Sequence, residues 1–374
     1  MKKADFYLVY RRNAGETKWK RLGKVTSTKY LDQTVKYNTI YKYQVIPVTK
    51  SNKTTFRGLP QYIRFCNQRI VDTGHLKYSY AEMSGDISLL ADKYHDACTY
   101  EIIGKSEDNR NIYDVIIGNP NAKKTLMVVS TLHAREYMAS QLCMRQIEYY
   151  MENYKNKISG KKISSTLDEI AIHYIPMANP DGVTISQFGI SGIRDANLRQ
   201  LLYQINTGSA SNWKANARGV DLNRNFPGSF KVRERRGPEG YSGPSAASES
   251  ETQAVVKLLK QLKADGSLQG VVNYHAFGSI VFGYDYGSAH TEVTTRQMYY
   301  LARNLTGYAD SAGYESTVNT GSWGNLREYI TEDLRIPSIT LEIGWSGCPV
   351  PISQFPGVWS RNYSLVMREA MLFV

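Results

Sequence analysis

TLMVVSTLHAREYMASQLCMRQIEYYMENY, residues 125–154, is the stretch whose reading decides the fold. Thr125 to Thr131 is a short, nearly continuous apolar run, the length of a strand covered on both faces. Ser140 to Tyr154 then repeats apolar residues at helical spacing, so the segment reads as strand, turn and helix. The same alternation recurs outward from it. Ile170 to Met177, Gly270 to Tyr274 and Ser338 to Ile343 read as strands; Tyr80 to Tyr94 and Ser248 to Ala264 read as helices. Such alternation predicts an α/β domain whose mixed, largely parallel sheet is covered by helices on both faces. Ligands on sheets of this kind gather beyond the C-terminal ends of the strands.

The front of the chain is different. Phe6 to Arg12, Trp19 to Val25, Lys29 to Val35, Ile40 to Val48 and Thr55 to Phe65 read as short strands separated by turns. In the fourth, Tyr41, Tyr43 and Val45 alternate with Lys42, Gln44 and Ile46, as a strand with two unlike faces requires. A small antiparallel β module over residues 1–67 is therefore expected, then a connecting stretch over 68–77 and a large domain over 78–374. Residues 1–67 also hold 15 Lys and Arg against Asp5, Glu16 and Asp32, which accounts for the whole net charge of +12. The remaining residues balance to zero. A basic front suits a polyanionic partner, an anionic cell-wall polymer for instance, and equally a solvated lysine-rich surface. No nucleic-acid motif accompanies the charge, so nucleic acid is not an expected partner.

No run approaches the roughly 18 apolar residues that would span a bilayer. The four cysteines, Cys66, Cys98, Cys143 and Cys348, lack the close pairing of a zinc ribbon or a redox motif and read as free thiols. Any metal must then be held by histidine and carboxylate, and the chain has six histidines.

His133 follows the first apolar strand, and Glu136 comes three residues later as the next helix opens. That spacing at a strand-to-helix turn lets an imidazole nitrogen and a carboxylate converge on one cation. His275, just after the strand Gly270 to Tyr274, lies at the same rim of the sheet and is the candidate third ligand. Glu342 ends the strand from Ser338, where a buried carboxylate is costly without a cation or hydrogen-bond donors. It reads either as a structural ion pair or as a base for a water activated by a metal. In GVDLNRNFPG, Asn223 and Arg224 follow Asp221, and an amide beside an arginine fork can clamp a carboxylate.

Six motifs taken in order, LHAREYMAS, MANPDG, WKANARGVDLNRNFPG, YSGPSAASESET, NYHAFGS and TLEIG, resemble those of the zinc metallocarboxypeptidases that include carboxypeptidases A, B and T. The resemblance runs from about Tyr78 to the C-terminus. It implies an eight-stranded mixed sheet between helices and a single zinc ion held by His133, Glu136 and His275. It implies Glu342 as general base and acid, Asn223 and Arg224 on the substrate's terminal carboxylate, and Asp221 orienting His133. Arg135 would help to position the substrate carbonyl. The front module resembles a fibronectin type III unit without its first two strands, which would leave a sheet edge exposed.

The sequence departs from the family pattern at three places. Trp213-Lys214-Ala215 stands where the family has Trp-Arg-Lys, so Lys214 or Arg218 must steady the developing oxyanion, and a lysine point charge is not a planar guanidinium. His275-Ala276-Phe277 replaces His-Ser-Tyr. The family's mobile tyrosine has no clear counterpart; Ser316 and Tyr314 are the nearest candidates. The residue setting side-chain preference aligns near Trp323. WKANARGVDLNRNFPG looks most like bacterial members that cut peptidoglycan stem peptides between γ-D-glutamate and a diamino acid. The expected function is thus a zinc carboxypeptidase acting on peptides with free C-termini, peptidoglycan stem peptides among them, in an extracellular or wall-associated location. The alternatives are a general peptide-scavenging carboxypeptidase and a non-catalytic wall-binding protein that keeps the fold.

Overall fold

The computed structural model describes residues 4–13, 16–32, 34–35, 39–49, 61–65, 69–205, 208–283, 291–310 and 323–374. At the front, β1 (Phe6–Asn13), β2 (Lys20–Val25), β3 (Thr39–Val48) and β4 (Gln61–Phe65) pair antiparallel in the order β2-β1-β3-β4. Tyr41, Tyr43 and Val45 share one face with Tyr7 and Val9, as their alternation requires. Lys29 to Val35, expected as a strand, is not one in its described residues. Asp32 is the reason: its carboxylate accepts from the Thr34 amide at 2.9 Å, closing a turn, and from Arg11 Nη1 and the Tyr43 hydroxyl, each at 2.7 Å. Side-chain bonds of this kind compete with the sheet ladder for the backbone. The boundary at residue 67 lies outside the described residues. The stretch after it is no free tether, because Ile70 and Val71 are buried in the larger core and their amides donate to Glu148.

Helix α1 (Tyr80–Lys93) opens the larger domain with a capping box, Ser79 and Glu82 each satisfying the other's backbone amide. Among the described residues its sheet has eight strands, β13-β12-β14-β11-β7-β10-β6-β5, in agreement with the predicted architecture. They are β5 (Cys98–Lys105), β6 (Asn111–Ile117), β7 (Thr125–Ser130), β10 (Ala171–Ile175), β11 (Leu268–Ala276), β12 (Ile280–Phe282), β13 (Ala309–Asp310) and β14 (Ser338–Ile343). β8 (Lys157–Ile158) and β9 (Lys161–Lys162) form a separate small hairpin. The central strands β14, β11, β7 and β10 run parallel, whereas β5 and β6 on one flank join antiparallel. Burial explains their composition: every residue of β7 is buried, which only a strand covered on both faces sustains.

Side-chain alternation divides the core in two. Leu126, Val128, Val272, Tyr274, Ile339 and Leu341 pack on one face with α1, α2 (Met138–Glu152), the helix Glu292–Thr306 and the C-terminal helices. Met127, Val129 and Val271 pack on the other with the helix Ser250–Ala264 and with Leu222, Phe226, Leu326 and Tyr329. Each fully buried aliphatic side chain contributes about 1.5–3 kcal/mol of transfer free energy. The same period of two decides where polar groups go. Asn273 and His275 on β11, and Thr340 and Glu342 on β14, fall on the second face at its C-terminal rim.

Candidate active site

β7 delivers the first candidate ligand through a strained turn. Thr131 has φ +57°, in the left-handed region that β-branched residues avoid, and its hydroxyl is tied to Ser140 at 2.7 Å and to Ser130 at 3.1 Å. Asn179, after β10, locks the same turn by donating to the Leu132 and Ala215 carbonyls at 3.0 and 3.1 Å. His133 and Glu136 are thereby aimed at the end of β11, where His275 waits. Among the described residues, His133 Nδ1 lies 2.8 Å from Glu136 Oε1, and His275 Nδ1 lies 2.9 Å from Glu136 Oε2 and 3.1 Å from His133 Nδ1.

All three side chains are buried, at 5, 4 and 2% exposure for His133, Glu136 and His275. Two imidazole nitrogens and a carboxylate turned to one point satisfy each other only through shared protons, whereas a cation satisfies all three at once. A tetrahedral zinc with bonds of about 2.0–2.1 Å sets its ligand atoms about 3.3 Å apart, so the donor set fits the ion after shifts of a few tenths of an ångström. His133 presents Nε2 to Asp221 Oδ1 at 3.2 Å, which sets its ring orientation. Asp221 is itself held by the amides of Asn223 and Gly240, at 3.1 and 3.3 Å.

The electrostatics follow from this crowding. Burial works to raise the Glu136 and Asp221 pKa values, but the facing histidines overcome it for Glu136, and His133, Lys214 and Arg224 overcome it for Asp221; both stay below the usual carboxylate range. Glu342 goes the other way. Burial, reinforced by Glu136 and opposed by His275 and Lys214, pushes its carboxyl up to about 7.

A cavity of about 190 Å³ opens beside these groups, lined by His133, Lys214, Asn223, Arg224, Asn273, His275, Phe282, Asn325, Arg327, Thr340 and Glu342. Lys214 is brought there by the backbone: its carbonyl accepts from the Ala134 amide at 3.0 Å, and its amide donates to the Pro238 carbonyl. Asn223 turns its side-chain oxygen to the Leu326 amide at 3.0 Å, which directs its NH2 elsewhere, and Arg224 Nη1 donates to the Asn223 carbonyl at 2.8 Å.

Other candidates sit outside the cavity. Arg218 lies 3.8 Å from both Glu107 and Glu249, in an acidic cluster with Glu251 whose carboxylates Asn216 also binds; it leaves Lys214 as the candidate beside Glu342. Arg135 donates to the Asn212 carbonyl at 3.1 Å and faces Glu239 at 3.6 Å. Trp323 does not line the cavity; Lys231 and Arg233 lie over its ring. Four residues away, Arg327 does line it. Tyr314 and Ser316 lie outside the described residues. Asn273 and Thr340 went unread in the sequence, although each stands two residues before a singled-out side chain on the same strand. Cys98, Cys143 and Cys348 are free thiols.

The profile of the zinc carboxypeptidases matches residues 83–364, with the metal triad and Glu342 inside the matched span. The chain belongs to the zinc carboxypeptidase family. It is a zinc metallocarboxypeptidase, a hydrolase whose cofactor is one zinc ion. This zinc carboxypeptidase is 25% identical over 306 residues to the γ-D-glutamyl-L-diamino acid endopeptidase 1 of Lysinibacillus sphaericus, an alignment covering 80% of this chain and 74% of that one. It is also 25% identical over 271 residues to human carboxypeptidase O, covering 69% and 68%. Among solved structures, thrombin-activatable fibrinolysis inhibitor superposes with a TM-score of 0.61 at 18% identity, over 82% of this chain and 77% of that one. Carboxypeptidase A of Helicoverpa armigera gives 0.58 at 18% identity, over the same shares. These two likenesses establish the fold. No helix among the described residues is long and apolar enough to cross a membrane.

Proposed function

We propose that this enzyme removes the C-terminal residue of peptides by attack of water, with Glu342 as general base and then acid, and that its substrates are peptidoglycan stem peptides. One observation carries the reading: a single cavity is lined by both metal-binding histidines, Glu342 and the pair Asn223 and Arg224. His133, Glu136 and His275 would hold the zinc, which would supply Lewis acidity and make water a competent nucleophile near neutral pH. Glu342 takes the proton from that water and passes it to the departing nitrogen. Lys214 carries the charge that develops on the scissile carbonyl oxygen. Asn223 and Arg224 receive the terminal carboxylate through the amide and the guanidinium fork, a clamp that an endopeptidase would not need.

The substrate assignment is supported by two features. The similar protein of Lysinibacillus sphaericus is named for a γ-D-glutamyl-L-diamino acid bond. The excess of positive charge lies wholly in residues 1–67, which suits retention on an anionic wall polymer and an extracellular or wall-associated location. We assign the front module to a partial fibronectin type III-like unit on its strand pattern. Digestion of a mixed peptide library beside purified muropeptides, read by mass spectrometry, tests the proposal. Loss of single C-terminal residues from muropeptides is expected; internal cuts alone, or cleavage of the library with intact muropeptides, overturns the respective half.

A further inference from the structure

We infer that Asn216 is a positioning residue: bonded to Glu249, it fixes the loop 213–221 so that Lys214 meets the scissile carbonyl and Asp221 meets His133. For Lys214 the inference rests on the carboxypeptidase reading above. For Asp221 it rests on the 3.2 Å contact with His133 alone. Lys214 stands two residues before Asn216 and Asp221 five after it, so one short loop carries a group for the substrate and a group for a metal ligand.

Asn216 closes that loop from the inside. Its amide donates to the Val220 carbonyl at 2.9 Å, and its carbonyl accepts from the Gly219 amide and from Trp213 Nε1, each at 3.2 Å. Its side-chain Oδ1 accepts from the amides of Arg218 and Val220 at 2.9 and 3.1 Å. The residue is fully buried, and buried amides need such an acceptor. The turn itself depends on Gly219, whose φ is +71°.

The other half of the side chain ties the loop to the scaffold. Asn216 Nδ2 donates to Glu249 Oε2 at 2.8 Å and to Glu251 Oε2 at 3.2 Å. Glu249 immediately precedes the helix Ser250–Ala264 and Glu251 lies in its first turn, so the loop is fastened to an element packed on the sheet. Both carboxyl groups are fully buried. Arg218, 3.8 Å from Glu107 and from Glu249, is the cation that faces them. Burial, reinforced by Asp181, Glu107 and Glu249, holds the Glu251 carboxyl well above the usual range. Among so many acids, position 216 requires a neutral side chain that donates on one side and accepts on the other, which is an amide.

The ends of the loop have anchors of their own. The amides of Lys214 and Ala215 donate to the Pro238 carbonyl at 3.0 and 2.9 Å, and the Asp221 amide donates to the Tyr241 carbonyl at 2.7 Å. Loss of the Asn216 bonds therefore displaces the two functional groups without unfolding the loop. A misplacement of about 1 Å at a contact made in the transition state costs up to about 10²-fold in rate. The carboxylate clamp is fastened separately, since Asn223 accepts from the Leu326 amide, so substrate binding should hold while turnover falls.

Exchanging donor and acceptor tests the role. Asn216→Asp keeps an oxygen for the Arg218 and Val220 amides but turns an anion toward Glu249 and Glu251. Combined with Glu249→Gln, the introduced amide donates to the introduced carboxylate and the charge of the cluster returns to that of the wild type. In zinc-saturated Asn216→Asp, kcat should fall by about tenfold or more with KM changed by less than about threefold. Zinc affinity, from competition with a chromophoric chelator, should fall about fivefold. Both should return to within about threefold of wild type in the double variant. In a Lys214→Ala background, Asn216→Asp should lower kcat by less than about twofold further, because its effect on turnover passes through Lys214. Wild-type kcat and zinc affinity in Asn216→Asp, no recovery in the double variant, or full additivity with Lys214→Ala overturns the inference. Where Asn216→Asp does not fold, the uncharged Asn216→Ala is read in its place; the same split between kcat and KM is expected, and wild-type kcat overturns it. If the wild type hydrolyses no peptide, the carboxypeptidase reading falls, while zinc affinity lost in Asn216→Asp and regained in the double variant upholds the role through Asp221. Hydrolysis at wild-type rates in every Asn216 variant, with zinc affinity unchanged, does the opposite.

Discussion

His275 and Glu342 are register partners on the adjacent parallel strands β11 and β14, so a metal ligand and the proposed base stand side by side through backbone pairing alone. Parallel pairing holds neighbouring residues about 4.7–4.9 Å apart whatever their side chains do. The base and this one ligand are thus placed by the sheet, while His133, Glu136, Lys214 and Arg224 arrive from loops and a short helical turn.

That separation of roles gives different outcomes for the two residues. Glu342→Gln should retain one equivalent of zinc and lose turnover by about 10³-fold or more, in line with loss of a general acid-base group. His275→Ala should fail to hold zinc after dialysis. Metal content by atomic absorption, measured beside peptide hydrolysis, checks both, and activity close to wild type in either variant would refute the assignment.

Asp221 touches no substrate atom in the proposed scheme, yet its 3.2 Å contact sets the His133 ring. Asp221→Asn should weaken zinc affinity by about 10–100-fold, the usual effect of removing a carboxylate behind a ligating histidine. Competition with a chromophoric chelator measures it. Unaltered affinity would show that the Asn179 and Thr131 contacts orient the turn unaided.

The pH profile of kcat/KM should carry an acid limb belonging to Glu342. Its carboxyl is raised to about 7, and a base must be deprotonated, so activity is lost as pH falls through that pKa. The charge of a bound zinc lowers the value, which places the midpoint below 7 and above the ordinary glutamate value of about 4.3. A flat profile from pH 8 to below pH 4 would exclude Glu342 as the base.

In the front module, burial favours protonation of Asp32, but the bonds from Tyr43, Thr34 and Arg11 prevail and hold its pKa down to about 2. A depressed carboxyl contributes stability above its unfolded value of about 3.9, which is lost as pH falls toward 2. Asp32→Asn should therefore destabilise the β module at pH 7, by about 1 kcal/mol once screening near the surface is allowed for, and make little difference near pH 2. Amide hydrogen exchange in β1 and β3 at the two pH values tests this.

Much of this molecule follows from local pattern. The apolar runs of β7, β11 and β14 were legible because strands covered on both faces need nearly every residue apolar. The metal triad was legible because its members stand at strand ends, and Glu342 because a carboxylate closing an apolar strand needs an explanation. Lys29 to Val35 was misread because hydrophobic alternation carries no information about Asp32, whose partners Arg11 and Tyr43 come from two other strands.

Arg327 was illegible for a related reason. It belongs to the one-turn helix Leu326–Glu328, which runs into a π-helical turn, and neither has a period that marks a face. The chain alone determined the sheet, its covered faces and the ligand types, since these depend on burial and period. Tertiary structure decided which cations share the cavity, because Lys214, Arg224 and Arg327 meet only when three separate segments of the chain fold over the rim of one sheet.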